Sequence, residues 1–252
     1  MKLRIFDFCS GAGGASCGFQ MASSGHHYTA VDNWHLAMQT YHHNIDNSEV
    51  IETNILDFDA STMGKADIIH CSPPCPGFSG INIRGNRDRD PSIIYKCLDI
   101  IEQTRPRFWS LEQSPFAAPF VPYPRFLKAN DFGLYHERRR LFAGNYPDVR
   151  PTRHVEPIHP TIVAHELKAF TKNMRHRQDA RSCCQWFGRR LTSWELQILM
   201  GFPSDYFFYG NYDERCIQIG NAVCPPVAKA IFTTMLLHWN EKSLLEYAND
   251  MV

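Results

Sequence analysis

The sequence predicts an α/β domain: a mainly parallel sheet with helices on both faces. Three observations predict it. Apolar runs of strand length alternate with segments of helical period from Leu3 to Glu112. The first run enters a glycine-rich turn, Cys9-Ser10-Gly11-Ala12-Gly13-Gly14, which opens a helix. Two later runs end in carboxylates, Asp32 and Glu112, and in an open sheet the carboxyl ends of strands are where ligands bind.

Taken in order, Leu3 to Phe8 reads as a buried strand and Ala15 to Ser24 as a helix. Tyr28 to Asp32 is a second strand, and Asp32 lies 18 residues past Gly14. That is near the spacing at which nucleotide-binding units set an acid against ribose hydroxyls. A helix over His35 to His43, a strand over Glu49 to Thr53 and an apolar strand into Cys71 follow. Ile93 to Thr104 is helical, and Phe108 to Glu112 is the next strand. From Ala143 to Arg189 prolines at 147, 151, 157 and 160 break the pattern, which predicts a small irregular region. Regularity returns at Leu191 to Met200, a helix capped by Thr192 or Ser193 with Glu195 beside it and stopped by Gly201. A last helix covers Pro225 to Trp239, with two prolines in its first turn.

Composition bounds the function. With 252 residues, 44% hydrophobic and 21% charged, the chain reads as a globular domain with a full core. No apolar run approaches the roughly 20 residues needed to cross a bilayer. The N-terminus enters a strand pattern at once, without a signal-peptide core, so an intracellular protein is expected. Nine cysteines, an odd number, read as reduced thiols. No second CxxC-type pair stands at finger spacing, so no metal is expected. The 26 basic and 26 acidic side chains cancel, which excludes a wholly basic nucleic-acid coat but leaves room for local basic patches.

Ser72-Pro73-Pro74-Cys75-Pro76-Gly77 holds the most unusual residue of the chain. A cysteine between a diproline and a Pro-Gly cannot sit in a regular helix or strand. Its thiol is held at a rigid bend past a strand end, as a nucleophile would be. A buried cysteine in a proline turn fits this segment equally well.

Six signals recur in one order: Asp7 to Gly18, Asp32 to Asn44, Cys71 to Ser79, Leu111-Glu112-Gln113, His136 to Phe142, and the closing pair Arg190 to Pro203 with Gln218 to Ala228. In that order they resemble the DNA cytosine carbon-5 methyltransferase family. The resemblance spans nearly all of the chain except residues 144–189, where that family carries a variable target-recognition region. It implies a Rossmann-like class I methyltransferase fold with a mixed sheet. It implies a catalytic and cofactor-binding domain at 1–143, completed by 213–252, and a small target-recognition region at 144–212.

The resemblance also implies residue roles. Cys75 is the nucleophile, Glu112 contacts ring nitrogen 3 and the exocyclic amine, and Arg138 and Arg140 hold the base carbonyl and a phosphate. The cofactor is S-adenosylmethionine, set against Asp7, Gly11, Gly13, Gly14, Asp32, Asn33, Asn54, Pro74, Asn221 and Val223. Ser79, Arg84 and Arg87 belong to a loop that closes over double-stranded DNA, and Arg175, Arg177 and Arg181 to the recognition region. A restriction endonuclease is an expected partner, and no membrane is involved. Trp186 and Phe187 are expected in the core of the recognition region.

The chain departs from the family pattern in several places. Pro76 stands for a glutamine, Gln113-Ser114 for Asn-Val, His136 for a glutamine and Cys9 for a phenylalanine. The 26 residues from Glu112 to Arg138 are too few for a helix usual there. A tRNA cytosine methyltransferase, a catalytically silent DNA- or partner-binding member, and transfer of another one-carbon group are the alternatives.

Overall fold

The computed structural model describes residues 2–74, 90–162, 164 and 183–249, with side chains as far as Trp239. The strands are β1 (Arg4–Phe8), β2 (His27–Asp32), β3 (Ser48–Glu52), β4 (Ile68–Cys71), β5 (Phe108–Gln113), β6 (Arg125–Lys128) and β7 (Arg139–Gly144). The helices are α1 (Gly14–Ala22), α2 (His35–Asn44), α3 (Ser92–Thr104), α4 (Cys183–Phe187), α5 (Ser193–Met200), α6 (Tyr212–Asn221) and α7 (Pro225–Asn249). Short 3-10 turns follow β3, β5 and β6.

All seven strands form one sheet in the order β3-β2-β1-β4-β5-β7-β6. The first five are mutually parallel, and β7 runs antiparallel to both β5 and β6. The sheet is therefore mixed, as the resemblance implies. Strand order reverses between β1 and β4, so a crevice opens at their carboxyl ends. The Cys9–Gly13 turn and the Ser72-Pro73-Pro74 turn both leave the sheet there.

One face of the sheet packs against α1, α2 and α7, with Phe19 stacked on Phe232 at 4.8 Å between ring centroids. The core on this face also takes in Ile162, Cys183, Cys184, Leu191, Leu196 and Met200. The opposite face packs against α3 through Ile94, Cys97, Ile100 and Ile101, and against the 3-10 turn after β5. Gly18 lets α1 and α7 close on each other, since a Cβ there would strike the Pro225 carbonyl.

Local signals placed most boundaries within two residues. Thr192 caps α5 in a full capping box with Glu195, and Gly201 ends it at φ 90°. The differences lie near the C-terminal half. β6 and β7 escape the pattern because Arg125, Lys128, Arg139 and Arg140 interrupt their apolar residues. Arg125 and Lys128 fit because β6 is an edge strand, while on β7 Arg139 is exposed over the Phe126 ring and Arg140 pairs with Glu112. Gln218 to Asn221 forms the last turn of α6. The last helix continues ten residues past the expected Trp239, to Asn249.

Candidate active site

The cofactor side of the crevice is built on backbone geometry. Cys9 takes φ 53°, a left-handed conformation that a side chain rarely adopts, and its N–H bonds the Val31 carbonyl at 2.8 Å. Gly11 (φ 51°) and Gly13 (φ 84°) continue the turn. A Cβ on Gly11 would meet nothing within 4 Å, so its surface is open to a ligand. Gly13 instead packs under Tyr41 and Tyr206. Gly14 packs so closely on the Val223 carbonyl that a Cβ would collide with it. The N-terminal glycine turn and the C-terminal Asn221–Val223 segment thus meet, as expected for one shared pocket.

Asp32 closes the turn. Its Oδ2 accepts the Gly11 N–H and its Oδ1 the Trp34 N–H, both at 2.9 Å. Each oxygen keeps a second lone pair, so the carboxylate organises the turn and can still accept from ribose. Burial raises its pKa, and the hydrogen bonds from the backbone oppose that rise. Asn33 is exposed beside it, as are Asn54, Pro74 and Asn221. Asn54 spends its Oδ1 on the Leu56 N–H at 3.0 Å, capping a 3-10 turn.

Asp7 lies beneath the turn at 1% exposure. Its Oδ2 accepts the Ser16 hydroxyl at 2.6 Å, and Ser16 accepts Tyr41 at 2.7 Å, while no group bonds Oδ1. Burial pushes its pKa up to about 7, and the nearby Asp32 adds to the rise. Asp7 is therefore a buried carboxyl beneath the turn whose pKa lies near neutrality.

The second half of the site lies between β5 and β7. Glu112 is 5% exposed and pairs through Oε1 with Arg140 Nε at 3.1 Å. Burial raises the Glu112 pKa, with Arg140 and then Arg138 holding it back. A small, partly open pocket beside the pair is lined by Leu127, Phe142, Val223, Cys224 and Val227. Gln113 faces the other side of the sheet and donates to the Pro73 carbonyl at 2.8 Å. It thereby ties the Pro73-Pro74 turn, which leads into position 75, to the strand carrying Glu112. His70 supports the same turn by bonding Ser110 and Ser72 at 2.7 and 2.8 Å, and burial pulls its pKa down to about 3.

Arg138 has another employment from the one expected. Its stem lines the Glu112 pocket, but Nη1 donates to the Ile162 carbonyl at 3.0 Å and Nη2 to those of Gly220 and Ala222 at 2.9 Å. The side chain is a buried clamp joining β7, the residue-162 segment and the turn after α6. His136, one alternation earlier, bonds the Leu199 carbonyl at 3.2 Å and is kept neutral by burial, its pKa lowered to about 3. Arg140 of this row pairs directly with Glu112, and Arg138 acts on it through its charge. Cys75, Ser79, Arg84, Arg87, Arg175, Arg177 and Arg181 lie outside the described residues. Phe187, expected in a core, is 39% exposed, and Trp186 is half-buried.

Sequence reasoning missed the linking role of Gln113, whose only signal was a departure from the family pattern. It also missed Cys224, which contacts Met200 sulfur to sulfur at 3.7 Å beside the pocket.

Comparison with known proteins gives the family and the fold. The family model described as C-5 cytosine-specific DNA methylase matches residues 3–118 and 143–236. The interval between holds Arg138 and Arg140, whose roles rest on geometry. The type II methyltransferase M1.HphI of Haemophilus parahaemolyticus is 24% identical over 94% of this chain and 87% of its own length. DNA (cytosine-5)-methyltransferase 1 of Gallus gallus is 26% identical over 63% of this chain, which spans 13% of that protein. The solved Dnmt2 methyltransferase of S. pombe shares the fold, with a TM-score of 0.71, 14% identity and coverage of 95% of this chain and all of that one.

Proposed function

This chain belongs to the C-5 cytosine-specific DNA methylase family, and we propose that it methylates carbon 5 of a cytosine flipped out of duplex DNA, with S-adenosylmethionine as donor and Cys75 as attacking thiol. The observation that carries the reading is the buried Glu112–Arg140 pair on β5 and β7, tied through Gln113 to the turn that leads into Cys75.

When bound, S-adenosylmethionine supplies an electrophilic methyl group. The open surface above Gly11 and the spare lone pairs of Asp32 fit it. Carbon 5 of cytosine is a poor nucleophile. Addition of the Cys75 thiolate to carbon 6 makes the ring an enamine, whose carbon 5 would take the methyl group as its bond to sulfur breaks and S-adenosylhomocysteine leaves. Glu112 places a proton at ring nitrogen 3 as negative charge develops there, a task that a carboxyl with a raised pKa can do. Arg140 orients Glu112 and reaches the base carbonyl. Loss of the carbon-5 proton and departure of the thiolate then restore the aromatic ring. The base must leave the stack to reach Glu112, which is buried between β5 and β7.

Double-stranded DNA is accordingly the substrate, and a restriction endonuclease is the partner to test. Among the described residues no helix is long and apolar enough to cross a membrane. Work on DNA points to the cell interior. Bisulfite sequencing of DNA from cells expressing the protein tests the reading and returns the site. Methylated cytosines are expected with the wild type and none with Cys75→Ser, and duplexes carrying 5-fluorocytosine should trap a covalent complex. Methylation by the serine variant at a wild-type rate would remove Cys75 from the mechanism.

A further inference from the structure

Arg190 and Arg215 line one open groove of about 440 Å3, together with Leu191, Thr192, Ser193 and Tyr212. They are the only charged side chains among its lining residues. The Arg190 guanidinium lies over the Tyr212 ring at 3.6 Å, and the Tyr212 hydroxyl is fixed by the Leu191 carbonyl at 2.7 Å. Arg215 is anchored by one donor, Nε, on the Gly210 carbonyl at 2.8 Å. Among the described residues neither arginine has a carboxylate partner. The nearby acids are engaged or turned away. Glu195 pairs with Arg189, Glu214 accepts the Asn211 N–H at 2.7 Å, and Asp213 is exposed outside the groove.

The groove lies at a defined reach from the base pocket. Helix α5 runs from Ser193 in the groove to Met200, whose sulfur touches Cys224 of the pocket wall. Helix α6 runs from Tyr212 in the groove to Asn221, just before Val223 of the same wall. Helices of these lengths rise about 12 to 15 Å. At about 3.4 Å per nucleotide, that is about four nucleotides along a strand. Two fixed, unpaired guanidinium groups suit phosphate oxygens, which they can meet with two donors at once.

We propose that this groove receives backbone phosphates of the duplex, about four nucleotides from the flipped cytosine. The inference rests on the DNA reading above and adds a contact outside the catalytic pocket, on residues other than Arg175, Arg177 and Arg181.

The test is the salt dependence of binding to a labelled random-sequence duplex, measured by fluorescence anisotropy. Two lost phosphate contacts lower the slope of log affinity against log salt by about 1.8. Between about 50 and 200 mM salt, the advantage of the wild type over Arg190→Ala/Arg215→Ala should then shrink about twelvefold. The lysine pair, Arg190→Lys/Arg215→Lys, should keep most of the slope, and Lys229→Ala, an exposed charge on α7, should keep all of it. S-adenosylmethionine affinity should not change in any of them.

An unchanged slope in the alanine pair overturns the inference. So does a lysine pair as weak as the alanine pair, which would assign the arginines to packing on Tyr212. If the variants lose a thermal shift with inorganic phosphate while the duplex slope holds, the groove takes a free anion and the DNA assignment falls. A wild type that binds no duplex at all would remove the DNA reading itself.

Discussion

Arg138, just before β7, and Arg140, within it, line the same pocket, and a pair of substitutions separates their roles. Arg138→Met keeps most of the side-chain volume but removes every donor. The carbonyls of Ile162 and Gly220 are then left buried without Arg138, and that of Ala222 partly so. Each orphaned buried acceptor costs about 1 to 3 kcal/mol, so the loss should reach about 3 to 6 kcal/mol. That is a large share of the roughly 5 to 15 kcal/mol that holds a domain folded. Arg140→Met should behave otherwise. Its side chain is 27% exposed, and Glu112, whose pKa burial already raises, can protonate when the partner goes. Stability should change by about 1 kcal/mol or less, while methyl transfer falls by about a hundredfold or more. Urea denaturation and methyl incorporation, run below the melting range of both variants, make the comparison. An Arg138→Met protein within about 1 kcal/mol of wild type would show that water satisfies the carbonyls and that the clamp does not exist.

Further expectations follow from the cofactor side. The Asp7 pKa is raised from 3.8 to about 7, so folding binds a proton across that window. Stability from this group is full below about pH 4 and is lost as pH rises toward 7. Asp7→Asn should remove the loss, gaining on wild type between pH 5 and pH 8 in urea titrations; parallel profiles would contradict the buried proton. Asp32→Ala removes the acceptor for both Gly11 and Trp34, and S-adenosylmethionine affinity should fall by about 1 to 3 kcal/mol in calorimetry. An unchanged affinity would place the ribose elsewhere. Gly14→Ala would favour an isolated helix by about 1 kcal/mol, but here the methyl meets the Val223 carbonyl. A net loss of about 1 to 3 kcal/mol is expected, and a higher melting temperature would refute the close contact. The recognition segment from Gly144 to Arg189 has 46 residues. It can supply few base contacts, so methylation mapping should return a site of about two to four base pairs; six or more fixed bases would call for a second reading surface.

The sequence by itself determined those parts whose signals are local. A glycine turn after an apolar run, an acid 18 residues on, a cysteine among prolines and a Thr192–Glu195 capping box each act through neighbours a few positions away. Their chemistry needs no knowledge of the rest of the chain. The tertiary structure alone decided how the β7 row divides its work. Arg138 and Arg140 carry the same side chain, yet Arg138 is captured by carbonyls 24, 82 and 84 positions away, and Arg140 by Glu112 across the sheet. It likewise decided that β6 and β7 are strands, because the edge at β6 tolerates Arg125 and Lys128 and, on β7, Phe126 and Glu112 take up Arg139 and Arg140. Asp7 is the sharpest case. Its residue type marks it as an anion, but burial beneath the turn and a second carboxylate nearby, against the Ser16 hydroxyl that holds it down, raise its pKa to about 7. Such facts depend on which groups meet in space and on the water their meeting excludes, and no local pattern encodes either.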